Sequence, residues 1–243
     1  MESQSQRTVR FPDQKRTLVI MAKAPRPGLV KTRLTRSLPS SAVTALYSCL
    51  LDDTVALAMS LRDVEVAAMC PESDKDELVH LLGNRVQVVA QKGQGLAAAL
   101  TYVFRHFTAA GQRDVVAFNS DSPHLPAAVL ERAFQRLSTC DVVVGPTHDG
   151  GYYLVGAKAA HPALFGGDEM GTKSALDKLL ARIRLLQLST SFTEPFYDID
   201  VANDLMQLAR ELQLAPASAP RTAAWFAEWE QAVEQLRHRI GAQ

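Results

Sequence analysis

Short apolar runs rich in β-branched residues alternate with helix-length amphipathic segments along most of this chain. The runs are Thr17–Ala22, Val64–Met69, Val86–Ala90, Asp114–Asn119, Asp141–Gly145, Gly151–Gly156 and Ile183–Leu188. Helix-length segments separate most of them, at Ser40–Leu61, Ser73–Leu82, Leu96–Ala109, Pro126–Leu137 and Thr172–Ala181. Near-continuous apolar strands are typical of a sheet covered on both faces, and their alternation with helices predicts parallel, right-handed crossovers. We therefore expect an α/β fold with three layers, α/β/α, around a mostly parallel mixed sheet of about seven strands.

One strand is predicted to run against the others. Gly151–Gly156 is separated from the preceding run by a short loop and not by a helix. A short loop connects antiparallel neighbours, whereas a parallel neighbour needs a long crossover. The sheet should therefore contain an antiparallel member.

The two ends of the chain are predicted to differ from this domain. Residues 1–16 are polar, so we expect a flexible tail before a domain that spans 17–214. Beyond a linker rich in Pro and Ala, Trp225, Trp229 and Val233 recur at helical spacing within 221–240. We expect one C-terminal helix that packs this stripe on the domain or on the partner subunit of a homodimer, in preference to binding a cofactor.

Charge and hydropathy argue against several classes of function. Lys+Arg and Asp+Glu both number 26, so the formal net charge is zero, whereas a nucleic-acid-binding surface normally has a basic excess. We find no uninterrupted apolar run near the ~20 residues that span a bilayer and no signal-peptide core. We expect a cytoplasmic protein with neither nucleic acid nor a membrane as partner.

A basic loop follows the first predicted strand. Its sequence, KAPRPGLVKTR, carries the cations Lys23, Arg26, Lys31 and Arg33. The prolines and the glycine force a non-helical path, and such a loop offers backbone amides and positive charge to an anion. Ligands of open α/β sheets bind beyond the carboxyl ends of the strands. We therefore expect this loop to bind phosphate; the alternative is a solvated basic loop.

Acidic residues follow a strand and precede a helix. Asp121 comes just after the fourth apolar run, and Asp198 and Asp200 lead into a helical segment. Two acids spaced by one residue on an extended segment point to the same side. Mg²⁺ and Mn²⁺ prefer oxygen ligands and usually take one or two carboxylates, so we expect Asp121 and Asp200 to share one such ion. The alternative for Asp121 is that it merely caps the helix near Pro126.

An Asp-Gly-Gly segment follows the fifth predicted strand. Asp149 is followed by Gly150 and Gly151, and consecutive glycines permit close approach of the backbone to a ligand. The same residues also suit a plain turn into the next strand. From the residues alone both interpretations stay open.

Taken in order, these segments resemble one family. The chain is similar to the GT-A-fold glycosyltransferases labelled arsenosugar-biosynthesis glycosyltransferases, formerly a domain of unknown function. Their pattern runs Lys-x-Pro-x-Pro-Gly-x-Val-Lys-Thr-Arg-Leu, Gly-x-Asp-x-Pro-x-Leu, Gly-Pro-x-x-Asp-Gly-Gly-Tyr-Tyr-Leu and Asp-x-Asp-Thr-x-x-Asp-Leu, and the resemblance extends from about Thr17 to about Leu208. More distantly, the chain resembles the guanylyltransferases that activate phosphoenolpyruvate or phospholactate. The resemblance implies the Rossmann-like nucleotide-diphospho-sugar transferase fold.

The resemblance also implies a role for each matching residue. Lys23, Lys31 and Arg33 correspond to the loop that holds nucleotide phosphates, and Asp121 and Asp200 to the metal carboxylates. Asp149, Gly150 and Gly151 correspond to the segment that faces the sugar or acceptor. We expect Asp121, Lys31 and Arg33 to carry catalysis.

The chain departs from the family pattern at several places, among them Asn119 in place of a glycine and Val201 in place of the usual Thr. Gln91 and Gly93 keep the start of a Gln-x-Gly-x-Asp-Leu-Gly-x-Arg motif, so we expect them to contact the nucleotide, but the Asp, the second Gly and the Arg are replaced. His124 stands where the family has Asp after the proline. We expect His124 in an altered acceptor site, and the base cannot be carried over from the family.

Two reactions are compatible with these residues. In nucleotidyl transfer, an acceptor phosphate attacks the α-phosphorus of a nucleoside triphosphate and expels pyrophosphate. In glycosyl transfer, a sugar moves from a nucleotide sugar to a small-molecule acceptor. The charge of the basic loop favours nucleotidyl transfer to a small phosphorylated acceptor, and the family label favours glycosyl transfer. We expect the first, dependent on Mg²⁺ or Mn²⁺; a non-catalytic nucleotide-binding regulator is the third possibility.

Overall fold

The computed structural model describes residues 15–166 and 174–241. Residues 1–14 of the predicted tail lie outside the described residues, and the first strand begins at Arg16. Strands and α-helices alternate in the order β1 (Arg16–Met21), α1 (Ser40–Met59), β2 (Val64–Cys70), α2 (Lys75–Leu82), β3 (Gln87–Ala90), α3 (Gly95–Ala109), β4 (Asp114–Asn119), α4 (Ala127–Leu137), β5 (Val142–Pro146), β6 (Tyr152–Ala157), α5 (Ala175–Leu185), β7 (Thr190–Phe192), α6 (Ala202–Leu214), α7 (Pro220–Glu228) and α8 (Glu230–Gly241).

The strands form one mixed sheet in the order β3-β2-β1-β4-β6-β5-β7. Within the described residues, β6 runs antiparallel to both β4 and β5, and the other pairs are parallel. β1 and β4 end in register, with Met21 opposite Asn119, while Tyr152 at the start of β6 lies opposite Pro146 at the end of β5. The loops that leave β1 and β4 and the loop that enters β6 therefore meet at one edge of the sheet.

Helices cover both faces of the sheet because its strands are apolar on both sides. Leu18 and Ile20 pack with residues of α1, α2 and α4. Val19, the residue between them, packs on the other side with residues of α3 and α5. The predicted three-layer α/β/α class with a mostly parallel mixed sheet is confirmed.

α1 has a second apolar face that the C-terminal part of the chain covers. Leu46 and Leu50 pack with residues of α6, α7 and α8, including Trp225. The indole Nε1 of Trp225 donates a hydrogen bond to the Ala42 carbonyl oxygen at 3.0 Å. By length and composition alone α1 could cross a membrane, and 56% of its apolar window is buried inside the fold, as is usual for a core helix.

Two predicted elements differ from the structure. The predicted strand Ile183–Leu188 is wrong: Ile183 belongs to α5, and the seventh strand follows at Thr190–Phe192. Leu179 and Ile183, four residues apart, pack on the same hydrophobic cluster. This spacing is that of apolar residues on one face of a helix, so the segment around Ile183 is helical and not extended. The C-terminal segment is two helices and not one, because the chain breaks at Trp229 between α7 and α8.

Candidate active site

A polar cavity of about 350 Å³ opens beyond the carboxyl ends of β1 and β4. Its walls combine the basic loop after β1 with Asp121 after β4 and Asp200 before α6. Lys23, Lys31 and Arg33 all line it. Residues that are far apart in the sequence thus bring both signs of charge to the place where an open α/β sheet binds its ligands.

Three carboxylates form a cluster at this cavity, and two of them, Asp121 and Asp200, line it. Asp121, Asp198 and Asp200 each offer an oxygen atom that lies within 4.8 Å of the others. Asp204 holds the backbone at Asp200 in place from the first turn of α6, because its Oδ2 accepts hydrogen bonds from the backbone N–H groups of Asp200 at 2.9 Å and Val201 at 2.8 Å. The two residues predicted to share a metal ion therefore lie in one cluster, and Asp198 joins them.

Lys31 extends into the middle of this carboxylate cluster. Its Nζ lies 2.7 Å from Asp121 Oδ2 and 3.0 Å from Asp200 Oδ1, and only 5% of its side chain is exposed. Burial by itself would lower the pKa of Lys31, but the carboxylates of Asp121 and Asp200 outweigh burial and hold that pKa above its usual value. Lys31 therefore stays protonated and places a positive charge at the centre of the site.

Asp198 and Asp200 differ in how strongly nearby cations lower their pKa. Burial raises the pKa of Asp198 to about 6, with Lys31 opposing and Asp200 and Asp121 reinforcing the shift. For Asp200, burial also acts to raise the pKa, but Lys31 and Arg33 reverse it and hold the pKa below its usual value. Arg33 contributes from the surface, with Nη1 at 2.9 Å from Asp200 Oδ2 and 61% of its side chain exposed. Three acids thus share two nearby cations, so the cluster can accept more positive charge.

A buried hydroxyl pair connects the basic loop to Asp121. The hydroxyl of Tyr47, on α1, accepts the backbone N–H of Lys23 at 3.0 Å and lies 3.0 Å from Ser120 Oγ. Ser120 Oγ in turn donates to Asp121 Oδ1 at 3.2 Å. Burial, followed by the charge of Asp121, raises the pKa of Tyr47 to about 12, which keeps the phenol protonated. Sequence reasoning missed Tyr47, because an aromatic residue on the apolar face of a helix is indistinguishable from a core residue.

A second, more apolar cavity of about 780 Å³ adjoins the first and shares Met21 and Lys23 with it. Gln91 and Gly93, which follow β3, both line it. The side-chain amide of Gln91 donates to the Gly93 carbonyl at 3.2 Å, and Gly93 has a φ of 85°, which favours glycine. This cavity has the size and lining that suit a nucleoside next to the charged first cavity.

A third cavity, of about 250 Å³, shares Arg33 and Asp200 with the first and is also lined by Asp149. Asp149 Oδ1 accepts Thr147 Oγ1 at 2.6 Å and the Gly151 N–H at 3.3 Å, so the carboxylate closes its own turn. Gly150 has a φ of 91°, and a Cβ on Gly151 would lie 2.9 Å from Thr147 Oγ1. The predicted Asp-Gly-Gly segment is thus a turn whose Asp149 lines this cavity, while Gly150 and Gly151 shape the turn and are not among its lining residues.

Two predicted site residues, Arg26 and His124, do not line any of these three cavities. Arg26 turns away from the first cavity toward the start of α2, where its Nη1 lies 3.0 Å from Asp74 Oδ1 and its Nε 2.7 Å from Glu77 Oε2. These acids satisfy its charge, so it is a structural link and not a phosphate ligand.

His124 is buried and does not line the third cavity. Its ring lies 4.8 Å from the rings of both Phe196 and Tyr197, and Glu211 Oε2 approaches Nε2 only to 3.6 Å. Burial lowers the pKa of His124 to about 4, against the opposing effect of Glu211. An aromatic environment therefore replaces the expected acceptor contact.

Comparison with known families and curated proteins gives one match and one negative result. Residues 54–172 match the family described as "Uncharacterized protein conserved in bacteria (DUF2064)". No curated protein matches the chain. The matched segment contains Asp121 and the Asp-Gly-Gly turn, and the basic loop and Asp200 lie outside it.

Solved structures show the same fold. A provisionally named nucleotide-diphospho-sugar transferase from Desulfovibrio desulfuricans G20 superposes with a TM-score of 0.84 at 24% identity, covering 90% of this chain and 97% of that protein. A nucleotidyl transferase from Methanothermobacter thermautotroptrophicus (TM-score 0.58, 19% identity) covers 84% of this chain and 100% of its own. The 4-diphosphocytidyl-2C-methyl-D-erythritol synthase from Anaerococcus prevotii DSM 20548 (TM-score 0.53, 13% identity) covers 82% and 97%. The expected nucleotide-diphospho-sugar transferase fold is confirmed.

Proposed function

We propose that this chain, whose residues 54–172 match the family of uncharacterized proteins conserved in bacteria, is a nucleotide-dependent transferase. The donor nucleotide occupies the first two cavities, with its phosphates in the charged cavity and its nucleoside beside Gln91 and Gly93. The acceptor occupies the third cavity, next to Asp149. The preferred reaction is nucleotidyl transfer to a small phosphorylated acceptor.

One observation carries this proposal: a cavity that holds both cations and clustered carboxylates lies between two further cavities. Lys23, Lys31 and Arg33 supply positive charge from the side of β1. Arg33 and Asp200 line both the first and the third cavity, so a group bound there contacts the donor and the acceptor sides together. Such an arrangement suits transfer of a charged group between two ligands that are held in place.

The carboxylate cluster fits a hard divalent ion. Its donor set is oxygen only, and Lys31, a cation, already lies among the carboxylates. Asp121, Asp198 and Asp200 would hold Mg²⁺ or Mn²⁺, with phosphate oxygens and water as the remaining ligands. When bound, such an ion offsets charge on the leaving diphosphate.

The chain's own groups position the ligands and stabilise charge. In nucleotidyl transfer, an acceptor phosphate oxygen bonds to the α-phosphorus, the bond from that phosphorus to the β-phosphate oxygen breaks, and pyrophosphate leaves with the electron pair. Lys23 and Arg33 bind phosphate oxygens on this path, and Tyr47 holds both the basic loop and Asp121. Phosphoryl chemistry of this kind needs positioning and electrostatics and no covalent nucleophile.

Glycosyl transfer is the second candidate, and one observation favours it. Arg26 faces α2, so three of the four loop cations remain to bind phosphate, and a diphosphate needs fewer cations than a triphosphate with a phosphorylated acceptor.

Product analysis separates the two reactions. Nucleoside triphosphates with phosphorylated acceptors, and nucleotide sugars with neutral acceptors, are each incubated with Mg²⁺ or Mn²⁺ and assayed for pyrophosphate and for nucleoside diphosphate. Pyrophosphate release that requires the acceptor supports the proposal. Sugar transfer without pyrophosphate from any triphosphate supports the alternative, and nucleotide binding without turnover of any donor indicates a regulator.

Substitutions test the placement of the phosphates. Lys31→Ala and Arg33→Ala should each weaken nucleotide binding by about 1.5–3 kcal/mol, the range for hydrogen bonds to charged groups. Arg26→Ala is the matched control. It removes a cation of the same loop, but one that points at Asp74 and away from the cavity, so the affinity for nucleotide should be nearly unchanged. Equal losses in all three variants would mean that general loop charge, and not the cavity, determines binding.

A further inference from the structure

The ammonium group of Lys31 lies among the carboxylates that fit a divalent ion. It contacts Asp121 at 2.7 Å and Asp200 at 3.0 Å. We propose that Lys31 is the resident counter-ion of this cluster, and that a divalent ion binds only by displacing it, after which the ammonium binds the nucleotide phosphates. This inference rests on the proposed nucleotide site and adds an order to its assembly.

The ammonium of Lys31 and a divalent ion would use the same carboxylates. Two oxygen ligands on opposite sides of a divalent ion are about 4.0–5.2 Å apart when each bond is 2.0–2.6 Å. The oxygens of Asp121, Asp198 and Asp200 lie within 4.8 Å of one another, so the ion would fill the space among them. Lys31 Nζ is already at hydrogen-bond distance from two of the same residues, so ammonium and ion compete for one position.

The backbone of Lys31 is consistent with a side chain held in place by its partners. Its φ is 47°, in the left-handed region that residues with a Cβ rarely adopt. Such a conformation persists where the surroundings determine it, and here the two carboxylates are the strongest partners of the residue.

Competition makes binding of the ion and of the nucleotide cooperative. Only 5% of the Lys31 side chain is exposed in its present position, so displacement without nucleotide would separate a buried ammonium from its carboxylates with no phosphate to replace them. Nucleotide phosphates supply a new partner and remove this cost. By linkage, the ion and the phosphates then strengthen each other's binding by the same factor.

Direct binding of Mn²⁺ in the absence of nucleotide tests the proposal. Free Mn²⁺ is measured by electron paramagnetic resonance for the wild type, Lys31→Met and Lys31→Gln; the second variant keeps a polar group and guards against misfolding of the first. Both variants should bind Mn²⁺ roughly ten- to a hundredfold more tightly than the wild type, the factor that corresponds to hydrogen bonds made by a charged group.

Two further variants serve as controls. Lys23→Met removes a positive charge from the same cavity without an ion pair to the cluster in the described part of the chain, so its effect on Mn²⁺ affinity should be much smaller. Adding Asp198→Asn to Lys31→Met should reverse the gain, because it removes one of the carboxylates. A gain that persists in this double variant would place the ion elsewhere and overturn the proposal.

Mn²⁺ affinities of Lys31→Met and Lys31→Gln that both equal the wild-type value would also overturn it. This outcome is separable from the fate of the proposed function, because the measurement involves no nucleotide and no turnover. Tighter Mn²⁺ binding together with no turnover of any donor would support the counter-ion role and reject the transferase. Turnover of a donor by a protein whose Mn²⁺ affinity is unchanged in both Lys31 variants would support the transferase and reject the counter-ion role.

Discussion

Replacing the buried His124 by Leu should make the protein less sensitive to mild acid. The imidazole is almost fully enclosed, packs on Phe196 and Tyr197, and has Glu211 as its nearest charged group at 3.6 Å. Neither ring nitrogen has a hydrogen-bond partner among the described residues. An apolar side chain of similar size therefore suits the site as well as the neutral imidazole does.

The magnitude follows from the pKa of His124, which burial lowers from 6.5 to about 4. In the unfolded chain the His124 imidazole takes up a proton below about pH 6.5, whereas in the folded protein it does so only near pH 4. The stability that depends on a neutral His124 is thus fully present above pH 6.5 and is lost as the pH falls toward 4. Between pH 7.5 and pH 5.0 the loss amounts to about 2 kcal/mol.

Urea unfolding at the two pH values measures this difference. The fall in unfolding free energy from pH 7.5 to pH 5.0 should be about 2 kcal/mol smaller in His124→Leu than in the wild type. Carboxylates that titrate in the same range are present in both the wild type and His124→Leu, so their contributions cancel when the two falls in unfolding free energy are compared. His80→Leu, at an exposed position on α2, is the control and should keep the wild-type fall. If His124→Leu shows the wild-type fall as well, His124 is not the buried neutral group described here.

Two further substitutions test the packing around the site. Asp53→Ala removes the buried carboxylate that accepts both the N–H and the hydroxyl of Thr222 at 2.8 Å, and should lower the unfolding free energy by about 2–4 kcal/mol in a urea titration; a loss below 1 kcal/mol would contradict this role. Gly145→Ala places a Cβ 2.6 Å from the Tyr153 ring and should cost about 1–3 kcal/mol. Gly166→Ala, where no heavy atom of the described residues other than its chain neighbours lies within 4 Å of the new Cβ, should be nearly neutral in the same assay, and equal losses in the two alanine variants would refute the steric argument.

Much of the fold and part of the site could be predicted because the relevant signals are local. Apolar β-branched runs identify buried strands, and the polar residues directly after them lie at one edge of a parallel sheet. This reasoning applies to Asp121 and Lys31, and to Asp200 before α6, which the structure brings together across the cavity. It needs only the strand assignments and the parallel topology.

The direction of an individual side chain could not be predicted in the same way, because it depends on residues distant in the sequence. Arg26 and Lys31 are both cations of one loop, but Arg26 meets Asp74 and Glu77 of the α2 region, and Lys31 meets the carboxylate cluster. His124 follows a proline at a family position that carries Asp, and only the packing of Phe196 and Tyr197 removes it from the acceptor side.

Helix α1 has a consequence for how the protein is made. It is apolar enough to resemble a membrane span, and one of its faces packs on segments near the end of the chain, including Trp225. A ribosome adds about 5–20 residues per second, so this face stays uncovered for on the order of ten seconds after α1 is synthesised. During that interval the nascent chain presents a long apolar helix to chaperones and to the machinery that inserts membrane proteins. Completion of α7 and α8 ends this exposure, and with it the period in which the chain is most prone to mistargeting and aggregation.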